Sequence, residues 1–106
     1  MARPSRGEIW RINLGLTAKV GPCLVISEYP AENELALILV IPHTTAVRHT
    51  RWEFTCAKPF LKPGVFHLQQ IQPISLSRFE AKLGSLTPDE LWAIGKQLAE
   101  LLKLEL

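Results

Sequence analysis

The run Leu35-Ala36-Leu37-Ile38-Leu39-Val40-Ile41 limits what this chain can fold into more than any other stretch. Seven consecutive apolar residues suit a strand covered on both faces, although a buried helix segment gives the same pattern over this length. The run ends in Pro42-His43-Thr44-Thr45. A proline lacks the N–H that a ladder uses, so the strand is expected to stop there. An imidazole and two hydroxyls then stand where a packed core meets solvent. A rigid element aims such groups better than a loop does, and an ordinary strand end with a turn fits the same residues.

On either side the pattern is that of short strands. Residues 7–14 alternate, with Ile9, Arg11 and Asn13 on one face and Trp10, Ile12 and Leu14 on the other, as in a half-buried strand. Residues 15–22 read as a loop and 23–27 as a second, buried strand. Trp52, Phe54 and Cys56 alternate with Glu53 and Thr55, which gives a fourth strand. Residues 58–64 hold two prolines and a glycine and read as a loop. Residues 65–71 form a fifth strand ended by Pro73, residues 75–79 start a helical turn, and Gly84 breaks whatever precedes it. Thr87-Pro88-Asp89-Glu90 combines an N-cap hydroxyl, a proline at the first helical position and a capping-box glutamate. Leu91, Ile94, Leu98, Leu101 and Leu102 then make one apolar stripe. Five short strands and a terminal helix point to a mainly β fold, a small bent antiparallel sheet or open barrel.

At 106 residues, 47% hydrophobic and 21% charged, the chain reads as one globular domain over residues 1–106. Its net charge of +2 is uneven. Residues 1–86 hold ten Lys/Arg against six Asp/Glu, and residues 87–106 hold two against four. A mildly basic body is compatible with a polyanion partner. Cys23 and Cys56 have no Cys or His at zinc-finger spacing, so no structural zinc site is expected and buried free thiols are the default; no cofactor is expected. Arg3 and Arg6 precede no apolar stretch, and no segment approaches the roughly 20 apolar residues of a bilayer span. A cytoplasmic protein with no membrane association is therefore expected, its N-terminal arm (residues 1–6) loosely ordered.

Several of these segments together resemble the MazF/PemK-type toxins of bacterial toxin–antitoxin pairs. Arg6-Gly7-Glu8-Ile9-Trp10 is close to the opening of that family. Gly21-Pro22-Cys23-Leu24-Val25-Ile26-Ser27 is similar to its Arg-Pro-x-Leu-Val-Ile-Ser strand, and Val40-Ile41-Pro42-His43-Thr44-Thr45 to its Val-x-Pro-x-Thr-[Ser/Thr]. Gln70-Ile71, Arg78 and Leu83-Gly84-Ser85-Leu86 follow its Gln-Ile…Arg…Leu-Gly-x-Leu. No one of these motifs is specific; their order and spacing along nearly the whole chain are. The resemblance implies an SH3-like bent barrel of the MazF/Kid/CcdB type, a homodimer, and a sequence-specific, metal-independent endoribonuclease cutting single-stranded RNA at short sequences. It also implies a cognate MazE-like antitoxin peptide that occupies the RNA groove. The family's catalytic pair is a strand-exit threonine, matched by Thr44, and an arginine before Pro-x-Leu-Val. Gly21 stands where that arginine should be.

Metal-free cleavage uses the 2′-hydroxyl as nucleophile and leaves a 2′,3′-cyclic phosphate. The site must take the 2′ proton, protonate the leaving oxygen and stabilise charge on phosphorus. A guanidinium suits the last task, since its donors match phosphate oxygens in pairs. With glycine at position 21, Lys19 on the same loop or Arg48 after the strand exit is expected to join Thr44 as a catalytic group. Thr45, His43, His49, Arg51 and Gln70 are the candidate RNA-binding residues, the histidines also as acid and base. Each of these also suits a solvated loop position. His67 reads as a structural histidine, Trp10 as core, Trp52 as core or a base-stacking platform, and Arg78 as a phosphate contact or a cap of the turn at Ser75. The alternative function is a catalytically impaired module on the same scaffold, binding RNA or an antitoxin peptide without turnover.

Overall fold

The computed structural model describes residues 3–15 and 20–105. Seven strands and one helix follow in the order β1 Glu8–Asn13, β2 Val20–Val25, β3 Leu37–Thr44, β4 Glu53–Phe54, β5 Val65–His67, β6 Gln72–Ser75, β7 Phe79–Ser85 and α1 Pro88–Leu102. Single 3-10 turns cover Leu68–Gln70 and Leu76–Arg78. All pairings are antiparallel, in the order β4-β5-β3-β2-β1-β7, and β6 also pairs with β3. The sheet is open rather than a closed barrel.

Strand alternation sends side chains to two cores. Ile9, Leu24, Ile41 and Phe66 face α1, where Ile94 is fully buried among them. Trp10, Ile12, Cys23, Val25, Ile38 and Val40 fill the other side with Ile74 and Phe79. The run at residues 35–41 is therefore not covered on both faces. Leu37 and Leu39 share a face with Ile41, but α1 reaches only the Ile41 end, leaving the two leucines 40% and 42% exposed. Leu35 lies outside the strand and is 76% exposed.

Four further expectations are corrected. Pro42 does not end β3: it faces Cys23 of β2, and the strand continues to Thr44. Its locked φ suits extended backbone, and only its missing N–H conflicts with pairing. Pro73 likewise lies inside β6, opposite Leu39, on a short strand at the sheet margin. Gly84 does not break β7 but pairs with Ile9 within it; a Cβ there would run into the Phe60 ring. The Phe79, Ala81, Leu83 alternation thus marks a strand that the glycine masked. The described part of the N-terminal arm, residues 3–6, is docked, not loose. Pro4 is fully buried, Ser5 N–H donates to Glu8 Oε1 at 2.8 Å, and Arg6 Nε donates to the Ile26 carbonyl at 3.2 Å.

The strand boundaries shift for related reasons. Gly21 and Pro22, expected in a loop, belong to β2, while the fourth strand shrinks to two residues and the fifth to three. The helix start agrees with expectation: Glu90 N–H donates to Thr87 Oγ1 at 3.2 Å, and Thr87 N–H to Glu90 Oε1 at 2.8 Å. Glu90 Oε1 also accepts from Lys58 Nζ at 2.7 Å, which ties the loop before β5 to α1. The two cysteines are free thiols. Burial pushes the Cys23 thiol up to about 12, so it is inert as a nucleophile.

Candidate active site

β2 and β3 pair from Val25–Val40 to Cys23–Pro42 and then part. Beyond that point β3 pairs on its other edge with β5, His43 with Phe66 and Thr44 with Val65. Continuing the β2–β3 register by two residues sets Gly21 opposite Thr44. The fork opens into a groove of about 1040 Å³ that both residues line, together with His43, Thr45 and Gln70. Three stretches distant in sequence, at residues 21, 43–45 and 70, thereby meet where two strands diverge.

Thr44 Oγ1 accepts the Ala46 N–H at 3.0 Å. That bond uses a lone pair and leaves the hydroxyl hydrogen free to donate into the groove. The His43 ring is half-buried with its edge against Phe66, the centroids 5.0 Å apart. Burial lowers its pKa below 6.5, so the imidazole is neutral at neutral pH and can accept a proton. Although the two residues alternate along β3, both line the groove, because it wraps around the strand end. Thr45 is exposed, and its carbonyl accepts Val47 N–H at 3.1 Å. Gln70 ends the 3-10 turn after β5, with its side chain exposed beside Gln72.

A Cβ built on Gly21 would meet nothing within 4 Å. The position is open, so steric room does not require a glycine there. Cations do line the groove: Arg11 from β1, and Lys62 from the loop before β5. Neither was singled out by sequence reasoning, nor was Gln72. For Arg11 the signal was present, a lone guanidinium on an alternating strand, but the register that sets it opposite Pro22 is a tertiary fact.

The basic segment after Thr45 does not line the groove. Glu53 clamps it, accepting Arg48 N–H at 2.8 Å and Thr50 N–H at 2.5 Å. Those bonds, led by the one from Arg48, hold the Glu53 carboxyl below 4.5. His49 between them takes a left-handed conformation, φ 61°, and the Arg51 guanidinium lies 4.5 Å from the centre of the Trp52 ring. Arg48, His49 and Arg51 thus form a separate exposed group beside the groove residues. Lys19 lies outside the described residues.

The remaining candidates settle into the scaffold. Trp10 is 9% exposed, donates Nε1–H to Glu8 Oε1 at 2.9 Å and packs edge-on against Phe79. Trp52 packs against the core under α1. Arg78 Nη1 reaches the Asn13 carbonyl at 3.5 Å, closing the end of β1. His67 is buried, with Nδ1 lacking a hydrogen-bond partner among the described residues. Among the described residues no three His, Cys, Asp or Glu side chains are grouped to hold a metal ion, and no helix is long and apolar enough to cross a membrane.

Residues 5–102 match the family model described as PemK-like, MazF-like toxin of type II toxin-antitoxin system. Among solved structures, a MazE-MazF crystal structure (Form-II) from Deinococcus radiodurans superposes with a TM-score of 0.82 at 22% identity, covering 99% of this chain and 100% of that one. An endoribonuclease from a mycobacterial species gives 0.79 at 23% identity, covering 100% and 97%. The Mycobacterium tuberculosis toxin MazF-mt6 gives 0.78 at 23%, covering 93% and 99%. No curated protein sequence matches.

Proposed function

The chain belongs to the PemK-like, MazF-like toxin family of type II toxin–antitoxin systems, and on that premise we propose that it is an endoribonuclease that cuts single-stranded RNA without a metal ion. The observation that carries this reading is the meeting of Thr44 and a neutral His43 in one open groove. His43 takes the proton of the 2′-hydroxyl, and the 2′-oxygen attacks the adjacent phosphorus. The P–O5′ bond breaks, and the 5′-oxygen leaves with a proton from solvent, which reaches the groove freely. The products are a 2′,3′-cyclic phosphate and a 5′-hydroxyl.

Thr44 donates its hydroxyl hydrogen to a non-bridging phosphate oxygen, where charge grows in the transition state. Thr45 and Gln70 line the path of the flanking nucleotides, and an amide can read a base edge. Gly21 supplies no charge, so another cation must. Lys19 and Arg48 are the candidates along the chain, with Arg48 reaching back from a loop whose backbone is tied to Glu53. Working in the cytoplasm as a homodimer, the protein is held inactive by an antitoxin peptide lying in the same groove.

The test is incubation of the purified protein with a long single-stranded RNA in EDTA. Discrete fragments ending in cyclic phosphate are expected. Gly21 favours one second reading, a scaffold that holds RNA or the antitoxin peptide without turnover. Tight RNA binding with no fragments at high protein concentration would establish that reading instead.

A further inference from the structure

We propose that Arg11 is the phosphate-holding cation of this site, taking the part that residue 21 cannot play. The assignment rests on the ribonuclease reading above and names the group that reading lacks. Three observations place it. Arg11 lines the same groove as Thr44 and His43. It sits opposite Pro22 in the β1–β2 register, beside the residue next in chain to Gly21. Its side chain is 51% exposed, so the guanidinium is accessible to a phosphate lying in the groove.

The alternatives are less well placed. The Arg48 side chain belongs to the exposed loop pinned by Glu53 and does not line the groove. Lys62 does line it, but on the far loop, and its ammonium offers a point charge where a planar fork matches two phosphate oxygens. Arg11 is anchored at its backbone by strands on both sides, β2 and β7, so little ordering is needed at the moment of binding.

Its present partner is Glu80 of β7, with Arg11 Nε 3.2 Å from Glu80 Oε1 and side chains 51% and 39% exposed. An exposed pair of this kind contributes little to stability. It engages Nε alone and leaves the two terminal nitrogens of the guanidinium for a second acceptor. An arginine has thus moved one strand sideways, from β2 to β1, while still serving the same opening in the sheet.

The experiment compares wild type, Arg11→Gln, Glu80→Gln and Arg11→Gln/Gly21→Arg in single-turnover cleavage of single-stranded RNA in EDTA, with the affinity of each for a 2′-deoxy oligonucleotide pool measured alongside. Arg11→Gln should cut about 10²–10³-fold more slowly and bind more weakly, with a shallower salt dependence. Glu80→Gln breaks the same ion pair and should cut at least as fast as wild type. Gly21→Arg should restore most of the rate lost in Arg11→Gln. A wild type that cuts while Arg11→Gln cuts equally well overturns the assignment and leaves the ribonuclease reading standing. Loss of rate in Glu80→Gln equal to that in Arg11→Gln overturns it too, since the pair would then be structural. A wild type that neither cuts nor binds overturns both.

Discussion

Gly64 packs directly against the backbone of Thr44. A Cβ at position 64 would stand 2.9 Å from the Thr44 carbonyl carbon and 2.9 Å from His43 Cε1, closer than real side chains approach. The strand exit that carries the candidate chemistry is therefore shaped by the absence of a side chain at the residue just before β5. Gly64→Ala should displace Thr44 and His43 together. The expected result is a loss of about 1–3 kcal/mol in stability, with a fall in RNA cleavage larger than the unfolded fraction explains. Thermal melting and single-turnover rates on one preparation check it.

Thr44→Ala removes the hydroxyl that faces the groove and the acceptor of the Ala46 N–H. Cleavage should fall by about 10²–10³-fold. Thr44→Ser keeps both bonds and should stay within about tenfold of wild type. Equal loss in the two variants would mean that the threonine acts through its methyl group and packing, not through its oxygen.

Burial holds His43 below 6.5. In the proposed mechanism the neutral imidazole is the active form, so the acid limb of kcat/KM should lie below pH 6.5. His43→Asn should abolish that limb and lower the plateau by about 10²-fold or more. The same shift has a stability consequence. Between the unfolded value of 6.5 and the lower folded value the unfolded chain binds more protons, so stability declines as the pH falls through this window.

Glu53 answers to a different pH. Its carboxyl is depressed by the Arg48 and Thr50 amides, so its contribution is fully present above about pH 4.5 and lost as the pH falls through the lower folded value. Glu53→Gln should release the segment carrying Arg48, His49 and Arg51, seen as faster amide exchange at Arg48 and Thr50 at neutral pH. If Arg48 reaches back to the phosphate, this variant will also change the cleavage rate. If Arg11 alone holds it, the rate will stay near that of wild type.

At the start of α1, Thr87→Ala removes the side-chain half of the capping box. The expected cost is about 1 kcal/mol of stability, read as a lower melting temperature with cleavage unchanged.

How far these features could be read from the chain varies with their physical range. The cap at Thr87 and Glu90 is local, four residues long, and its sequence signature matches its geometry. The hydroxyls and imidazole at residues 43–45 were legible for the same reason, since the end of an apolar run marks a boundary. What alternation could not convey was which strands are neighbours. Gly84 reads as a break only until the Phe60 ring is found against it, and Pro42 as a stop only until the other edge of β3 is seen paired with β5. Leu37 and Leu39 look like core because sequence does not show where α1 ends. Arg11 is the most telling case. It stood in plain view on β1, and only the register with Pro22 connects it to Gly21.

One substrate pair tests the central claim most directly. After the cut site is mapped, the protein is given two short single-stranded RNAs in EDTA, identical except that one carries a 2′-deoxyribose on the 5′ side of the scissile phosphate. The account predicts rapid cleavage of the all-RNA strand to a 2′,3′-cyclic phosphate and no cleavage of the deoxy-substituted strand at that position. Equal cleavage of both, or cleavage of neither, would contradict it.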